Sequence, residues 1–280
     1  MCRAKTLQTI ALTVFLGLSF SIAASAQNTD SAREINALPW QTAPGTGWIG
    51  SVAQIGLARD LRFLDANATS RFLQLNGNPP RSDNYALAPK GFDWFAIFVY
   101  DNSGYVRDDE KLDADELLRT LQAQNEAGIA ERRRLHLPIL RLVGWAVPPH
   151  YDIETRRLEW GTRLLNEDNE PVVNYTIKLL GRSGVTNAIL VSEPNSLDTN
   201  VREFKTALRN FDYVAGQRYS EYRQGDRTAE YGLAALIVGG AAAAAAQSGV
   251  LKGFGKLIGV AVFGAIAAVG AFFKRLFRST

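Results

Sequence analysis

The sequence has few of the residues on which disulfide, redox and metal chemistry depend. It contains one cysteine, one methionine and two histidines among 280 residues. A single cysteine cannot form an intrachain disulfide, and two histidines argue against a histidine-rich metal centre. The motifs Gly-x-Ser-x-Gly and His-Glu-x-x-His and the phosphate-loop pattern are also absent. The sequence therefore identifies no catalytic residue, and we predict no cofactor and no metal.

Acidic residues are nearly absent from the end of the chain, where Glu230 is the only one between residues 229 and 280. Residues 232–246 are rich in Gly and Ala, and residues 257–273 form a run of 17 uncharged, mostly large apolar residues. That length is near the lower limit for a helix that crosses a bilayer. We predict that residues 229–280 are a C-terminal membrane anchor with one transmembrane helix, or two if the Gly/Ala-rich stretch also inserts.

The first residues have the pattern of a secretory signal peptide. Arg3 and Lys5 precede an apolar stretch at residues 7–22, and Ala24-Ser25-Ala26 offers a small-x-small cleavage site. A membrane-spanning anchor is the alternative, but the apolar stretch is shorter than the roughly 20 residues of a span. We therefore expect residues 1–26 to direct export, which would place the globular domain in the periplasm, tethered to the bacterial inner membrane.

Charge is unevenly distributed along the chain. The formal net charge is +3, of which the predicted signal peptide contributes +2 and residues 229–280 contribute +4. The middle of the chain is therefore mildly acidic, which argues against nucleic acid as a partner. The lipid bilayer, an envelope protein or a second copy of the chain remain as predicted partners.

The middle of the chain has the composition of a folded domain, since 46% of all residues are hydrophobic. We predict a polar arm or linker at residues 27–47 and an exported globular domain at residues 48–228. The predicted strands cover residues 48–57, 61–65, 85–88, 94–100, 139–147, 157–165, 172–180, 185–191 and 211–214. The predicted helices begin at Asn67 or Thr69, at Asp113 and at Asn195, and Pro148-Pro149 is predicted to form a corner. This order predicts an α+β fold with an antiparallel sheet flanked by helices, together with a C-terminal transmembrane helix region.

Several segments together resemble one bacterial family of predicted membrane-anchored proteins, a domain of unknown function (family 2167). They are residues 77–80, 104–109, 113–118, 144–152, 174–177, 180–182 and 225–236. The resemblance covers nearly the whole mature chain and implies an exported domain with a C-terminal membrane anchor. It implies no activity, because the family has none assigned. The succession of strands and helices is also loosely Mog1/PsbP-like, an analogy of fold alone.

Weak candidate ligand-binding residues are His150, Asp152 and Trp145. An imidazole beside a carboxylate can do acid–base work, and residues two apart in a strand share a face. Turn structure is the simpler interpretation of this segment, and His136 is interpreted as structural. The aromatic residues of the middle region are interpreted as core, although they could line a pocket; they are Trp94, Phe95, Phe98, Trp145 and Trp160.

Two charged runs have both a functional and a structural interpretation. The acidic run consists of Asp108, Asp109, Glu110, Asp113, Asp115 and Glu116. It could bind Ca²⁺, but its spacing is not that of an EF-hand loop, and three of its acids suit a helix N-terminus. The run Arg132-Arg133-Arg134 could meet anionic lipid or nucleic acid, but arginines also stabilise the C-terminus of a helix.

Three functional hypotheses remain from the sequence. The first is a non-catalytic, membrane-anchored domain that binds a ligand or partner in the envelope. The alternative is an envelope hydrolase-like or carbohydrate-active enzyme that uses carboxylates or His150. The third is that the Gly/Ala-rich helices of residues 229–280 oligomerise and the exported domain is secondary.

Overall fold

The computed structural model describes residues 31–76, 80–134 and 139–239. Its strands, in chain order, are β1 (Gln41–Thr42), β2 (Thr46–Ile49), β3 (Ala53–Gly56), β4 (Leu61–Leu64), β5 (Asn84–Pro89), β6 (Trp94–Asp101), β7 (Arg141–Asp152), β8 (Arg157–Leu165), β9 (Pro171–Leu180), β10 (Val185–Ser192) and β11 (Phe211–Tyr213). Its α-helices are α1 (Ala66–Leu75), α2 (Ala114–Arg134), α3 (Leu197–Ala207) and α4 (Leu233–Val238). Residues 31–37 are also helical.

The strands form two sheets. Eight of them lie in the order β1-β4-β5-β6-β10-β9-β8-β7, and the smaller sheet has the order β11-β3-β2. All of these pairings are antiparallel. The predicted α+β class, with a large antiparallel sheet and helices, is confirmed.

An aspartate caps the start of α1 and another caps the start of α2. Asp113 Oδ1 accepts hydrogen bonds from the backbone N–H groups of Asp115 and Glu116, at 3.0 and 2.9 Å, so the predicted cap of α2 is confirmed. The prediction for α1 is wrong, because Asp65 caps it through the N–H of Ala68. The predicted strand at residues 61–65 includes Asp65, whereas β4 ends at Leu64.

Two predictions of strand extent also need correction. Residues 48–57 are not one strand, because Gly50 adopts a positive φ of 57° and the chain reverses between β2 and β3. Pro148-Pro149 does not form a corner, because both prolines lie inside β7. β7 is at the edge of the large sheet and its register shifts between Val147 and His150, so the missing N–H groups are tolerated there.

The folded domain is longer at both ends than residues 48–228. Residues 31–47 of the predicted arm pack on it, since Ile35 is buried in the cluster beneath α1 and Glu34 forms an ion pair with Arg71 of that helix. β1 also pairs with β4. At the other end Leu233, Leu236 and Ile237 of α4 are buried in the core. The first residues of the predicted anchor therefore belong to the domain.

The predicted membrane-directed segments fall mostly beyond the described residues. The signal peptide at residues 1–26 and residues 240–280 of the predicted anchor are outside them. Within the described ranges, no helix has the length and apolar character needed to cross a membrane.

The two faces of the large sheet are packed differently. The sandwich face packs against the smaller sheet and α3, and its core includes Phe98, Tyr175 and Phe204. The opposite face, which we call the split face, carries two separate clusters. One is built with α2 and α4 over β7–β9, and the other with α1 over β4–β6. The central strands cross the space between these two clusters.

Candidate ligand-binding site

A strip of half-buried side chains lies on the split face between its two apolar clusters. Directly paired residues of antiparallel strands have their side chains on the same face. Lys178 of β9 pairs with Asn187 of β10, and Thr176 pairs with Ile189. Asn187 pairs in turn with Val99 of β6. These five residues, all of intermediate exposure, define the central strip.

Lys178 is the only cation of the central strip. Its ammonium donates a hydrogen bond to Asn187 Oδ1 and lies 5.9 Å from the centre of the Trp160 ring. Among the described residues, no carboxylate forms an ion pair with it. Burial lowers the pKa of Lys178 to about 8, although the more distant charge of Asp101 acts in the opposite direction. The ammonium is therefore poorly compensated at neutral pH.

The hydrogen bond from Lys178 fixes the orientation of the Asn187 amide. An ammonium can only donate, so the acceptor must be the amide oxygen of Asn187. The NH₂ group of Asn187 then points away from Lys178, and it donates no hydrogen bond within the part of the chain that the structure describes. The ammonium and this amide are thus two neighbouring groups with hydrogen atoms left to donate.

Asn174 adds an acceptor further along the same strand. It lies two residues before Thr176, so its side chain points to the split face. The residue is 5% exposed, and its Oδ1 accepts no hydrogen bond from the described residues. A buried amide oxygen without a donor is destabilising by roughly 1–3 kcal/mol. Among the described residues, Asn174 Oδ1 therefore lacks a hydrogen-bond donor and Lys178 lacks an anionic partner.

Sequence reasoning did not select Lys178, although a signal was present. Asn174, Thr176 and Lys178 are polar at every second position of a predicted strand, a pattern typical of a solvent-facing side. The sequence could not show that this side is partly enclosed. Partial burial of a strand face depends on tertiary packing, which the local pattern of polar and apolar residues does not contain.

The three weak candidates from the sequence do not form one site. Trp145 packs in the cluster beneath α2, and its indole donates a 3.0 Å hydrogen bond to the carbonyl of Ala114. His150 pairs with Glu159 and is exposed. Asp152 accepts hydrogen bonds from the turn at Glu154 and Thr155, and the bonds from Thr155 lower its pKa. No hydrogen bond joins His150 to Asp152 in the described structure.

The aromatic residues considered as a pocket are distributed over three clusters. Trp94 and Phe98 belong to the sandwich face, Phe95 packs under α1, and Trp145 and Trp160 pack under α2. Four of the five are less than 9% exposed. They therefore do not line a common cavity.

The acidic run is held by contacts within the protein. Asp108 accepts a 2.6 Å hydrogen bond from Tyr151 and pairs with Arg156. Burial would raise the pKa of Asp108, but the hydrogen bonds from Tyr151 and Tyr219 and the charge of Arg156 hold it below its usual value. Glu110 accepts a 2.9 Å hydrogen bond from the N–H of Ala234 in α4.

These contacts fix the 108–113 loop against α4 and the β7–β8 turn. No cluster of three metal-ligating side chains occurs within the ranges that the structure describes. In the arginine run, Arg132 is buried and only Arg133 and Arg134 are exposed.

Comparison with known proteins gives a family and one loose structural likeness. A family model described as "Protein of unknown function (DUF2167)" matches residues 41–270, which confirms the resemblance inferred from the sequence. No curated protein matches the chain. The solution structure of cyanobacterial PsbP (CyanoP) from Synechocystis sp. PCC 6803 is 14% identical, with 62% of this chain and 98% of that chain covered and a TM-score of 0.35. A likeness this loose carries no argument about fold or function.

Proposed function

We propose that this chain, which belongs to the DUF2167 family of proteins of unknown function, is a non-catalytic binding protein that holds an anionic ligand on the central strip. The observation that carries the proposal is the half-buried Lys178 ammonium, which has no carboxylate partner among the described residues. Buried charges are normally paired, because an unpaired one is strongly disfavoured. An anion bound at Lys178 would supply the missing partner.

The surroundings of Lys178 favour binding over chemistry. Ile189 and Val99 present apolar surface beside the ammonium, which suits the apolar body of a ligand. Asn187 offers a second donor at the same place. A carboxylate or a phosphate has the charge and the acceptor atoms for both groups.

The proposal also includes export and membrane anchoring. Its support is the signal-peptide pattern of residues 1–26 and the apolar run of residues 257–273. On this proposal the domain stands in the periplasm, on the outer surface of the inner membrane. The single-span arrangement then leaves Lys274, Arg275 and Arg278 in the cytoplasm, as the positive-inside rule prefers.

Anion binding can be tested with two probes that differ in charge. Phenylacetate and neutral phenylacetamide are titrated calorimetrically into the full-length chain in detergent solution. We expect phenylacetate to bind about tenfold more tightly, since a hydrogen-bonded ion pair contributes roughly 1.5–3 kcal/mol. The preference should disappear in Lys178→Met and fall as the pH rises through about 8, where Lys178 loses its charge.

A matched control is available on the other face of the sheet. Lys205 lies 5.9 Å from the centre of the Tyr175 ring but is paired with Glu159 at 2.6 Å. Lys205→Met should therefore leave the preference for phenylacetate intact. Equal affinity for both probes in the wild type, or a preference that survives Lys178→Met, would refute anion binding at this strip.

Membrane topology needs a separate measurement. A tag after Thr280 should be protected from protease in intact spheroplasts if a single span is present, and the folded domain should be accessible. Accessibility of the tag in intact cells would overturn the single-span arrangement and favour two spans. A chain recovered wholly in the cytoplasm would overturn export.

A further inference from the structure

The Lys178 side chain combines partial exposure with apolar neighbours. It pairs across the sheet with Leu158 of β8, which is fully buried, and its nitrogen lies 5.9 Å from the centre of the Trp160 ring. Ile189 and Val99 lie on the same face on its other side. Lys178 itself is half-buried, so its side chain still meets solvent. A small molecule can therefore reach an amine that is bordered mostly by hydrocarbon.

These surroundings leave part of the amine uncharged at neutral pH. Within the described part of the chain, no carboxylate is paired with Lys178, and Asp101 of β6 acts on it only from a distance. Burial lowers the pKa of Lys178 to about 8. Roughly a tenth of the side chain is then unprotonated at pH 7, about 200-fold more than for a lysine of ordinary pKa. Only the uncharged amine has a lone pair with which it can attack carbon.

Asn187 presents two groups to a reaction at this nitrogen. Its Oδ1 accepts a hydrogen bond from Lys178, and the uncharged amine can make the same bond because it keeps two N–H groups. The lone pair of the amine then points away from Oδ1. The NH₂ group of the same amide lies beside that oxygen and donates no hydrogen bond within the described structure. It is placed to donate to a carbonyl oxygen whose carbon meets the lysine nitrogen.

We propose that Lys178 captures small aliphatic aldehydes as an imine, with Asn187 as the residue that positions the amine and the carbonyl oxygen. The amine nitrogen attacks the carbonyl carbon and forms the C–N bond. The carbonyl oxygen leaves as water with the two hydrogen atoms of the amine, so the step needs no oxidant or reductant. The apolar neighbours favour an aliphatic chain on the aldehyde over a charged one.

Imine formation of this kind is covalent binding rather than turnover. Among the described residues, no histidine or carboxylate is hydrogen-bonded to Lys178 or paired with it, so no acid or base is placed to convert the imine further. The inference goes beyond anion binding and does not depend on it. Anion binding uses the charged form of Lys178, whereas imine formation uses the uncharged form.

Reductive labelling of the full-length chain in detergent solution tests the proposal. Propanal and sodium cyanoborohydride are added at pH 7; cyanoborohydride reduces the imine to a stable amine, and peptide mass spectrometry gives the rate at each lysine. Lys205 is the internal control, because it is also half-buried but is paired with Glu159. We expect Lys178 to be labelled at least about tenfold faster than Lys205. This ratio should fall as the pH rises from 8 to 10, where Lys178 gains little more uncharged amine.

Asn187→Asp tests the positioning role at nearly unchanged size. It supplies the missing carboxylate, which favours the charged lysine, and it removes the NH₂ donor. We expect labelling of Lys178 at pH 7 to slow about tenfold, with labelling of Lys205 unchanged. Near-ultraviolet circular dichroism checks that the variant is folded.

Two outcomes would overturn covalent capture. Equal labelling of Lys178 and Lys205 in the wild type at pH 7 would do so without any variant. A folded Asn187→Asp protein that is labelled at the wild-type rate would also do so. Either outcome leaves the anion site to the phenylacetate titration, because that measurement depends on the charged lysine.

Discussion

Each face of the large sheet carries a lysine near an aromatic ring, but only the lysine on the sandwich face is paired with a carboxylate of the described residues. On the sandwich face Lys205 lies 5.9 Å from the centre of the Tyr175 ring and is paired with Glu159. On the split face Lys178 lies at the same distance from the centre of the Trp160 ring, and Asn187 is its hydrogen-bond partner. The first charge is neutralised within the fold, and the second is not neutralised by any described residue.

A lysine thus has a structural role on the sandwich face, and another lysine is a candidate for a functional role on the split face. A neutralised lysine at the margin of a continuous core needs no further partner to explain it. An unneutralised lysine between two clusters lowers stability and persists only if something compensates for it. The split face at Lys178 is therefore a better candidate for a binding site than His150, Asp152 and Trp145.

The largest expected effect concerns packing. Phe204 is fully buried in the core of the sandwich face, so Phe204→Ala should lower the free energy of unfolding by roughly 3–5 kcal/mol. Ile189→Ala on the central strip should lower it by only about 1 kcal/mol, because Ile189 is half-buried. Urea unfolding of both variants measures the difference. Similar losses would show that the strip is packed as tightly as the core.

The next effect has the opposite sign. Lys178→Met should raise the free energy of unfolding by about 1–3 kcal/mol at pH 7, because burial disfavours the charged lysine in the folded state. This increase in the free energy of unfolding has its full value below pH 8, where Lys178 is charged in both the folded and the unfolded state. It disappears between pH 8 and 10.5, where only the unfolded state still holds the proton. Lys205→Met, which leaves the largely buried Glu159 without its cation, should instead lower the free energy of unfolding by about 1–3 kcal/mol.

Urea unfolding of the wild type and the two variants at pH 7 and pH 10 measures these differences. A loss of stability in Lys178→Met at pH 7 would show that the ammonium is already compensated in the free protein. The distinction between the two faces would then fail.

A smaller effect concerns how α2 is held over the split face. Trp145→Phe keeps an aromatic ring but removes part of the indole and its 3.0 Å hydrogen bond to the Ala114 carbonyl, so it should lower the free energy of unfolding by about 1–2 kcal/mol. Trp48→Phe is the control, because Trp48 is 52% exposed, and it should change stability by less than about 0.5 kcal/mol. Thermal or urea unfolding of the two variants measures the difference in stability. Equal losses would show that the hydrogen bond from the Trp145 indole does not stabilise the fold.

The smallest effect is expected at His150. This side chain is exposed at the edge of the sheet and has no hydrogen bond to Asp152 in the described structure, so His150→Ala should change stability by less than about 0.5 kcal/mol. The variant should also restore a deletion strain as fully as the wild type does. A folded His150→Ala protein that fails to restore the strain would support the envelope hydrolase instead.

Much of the fold could be predicted from local pattern. Period-two alternation predicts the strand at residues 157–165, and the turns at residues 166–170 and 181–184 bound the strands at 172–180 and 185–191. Asp113 predicts the start of α2.

Two of the failures are local, since Asp65 caps α1 through Ala68 and Gly50 turns the chain between β2 and β3. The other two depend on neighbours distant in sequence. Pro148-Pro149 stays in a strand because none of the described strands pairs with the outer side of β7. Ile35 is buried because α1 and β5 meet it.

The sequence by itself determined the family, the α+β class and the alternation that places Asn174, Thr176 and Lys178 on one face of β9. Tertiary structure alone decided that this face is divided between two apolar clusters and that Lys178 stands between them without a carboxylate among the described residues. The physical reason is that side-chain direction in a strand follows from local geometry. Burial and charge compensation depend on which distant helices and strands pack against it.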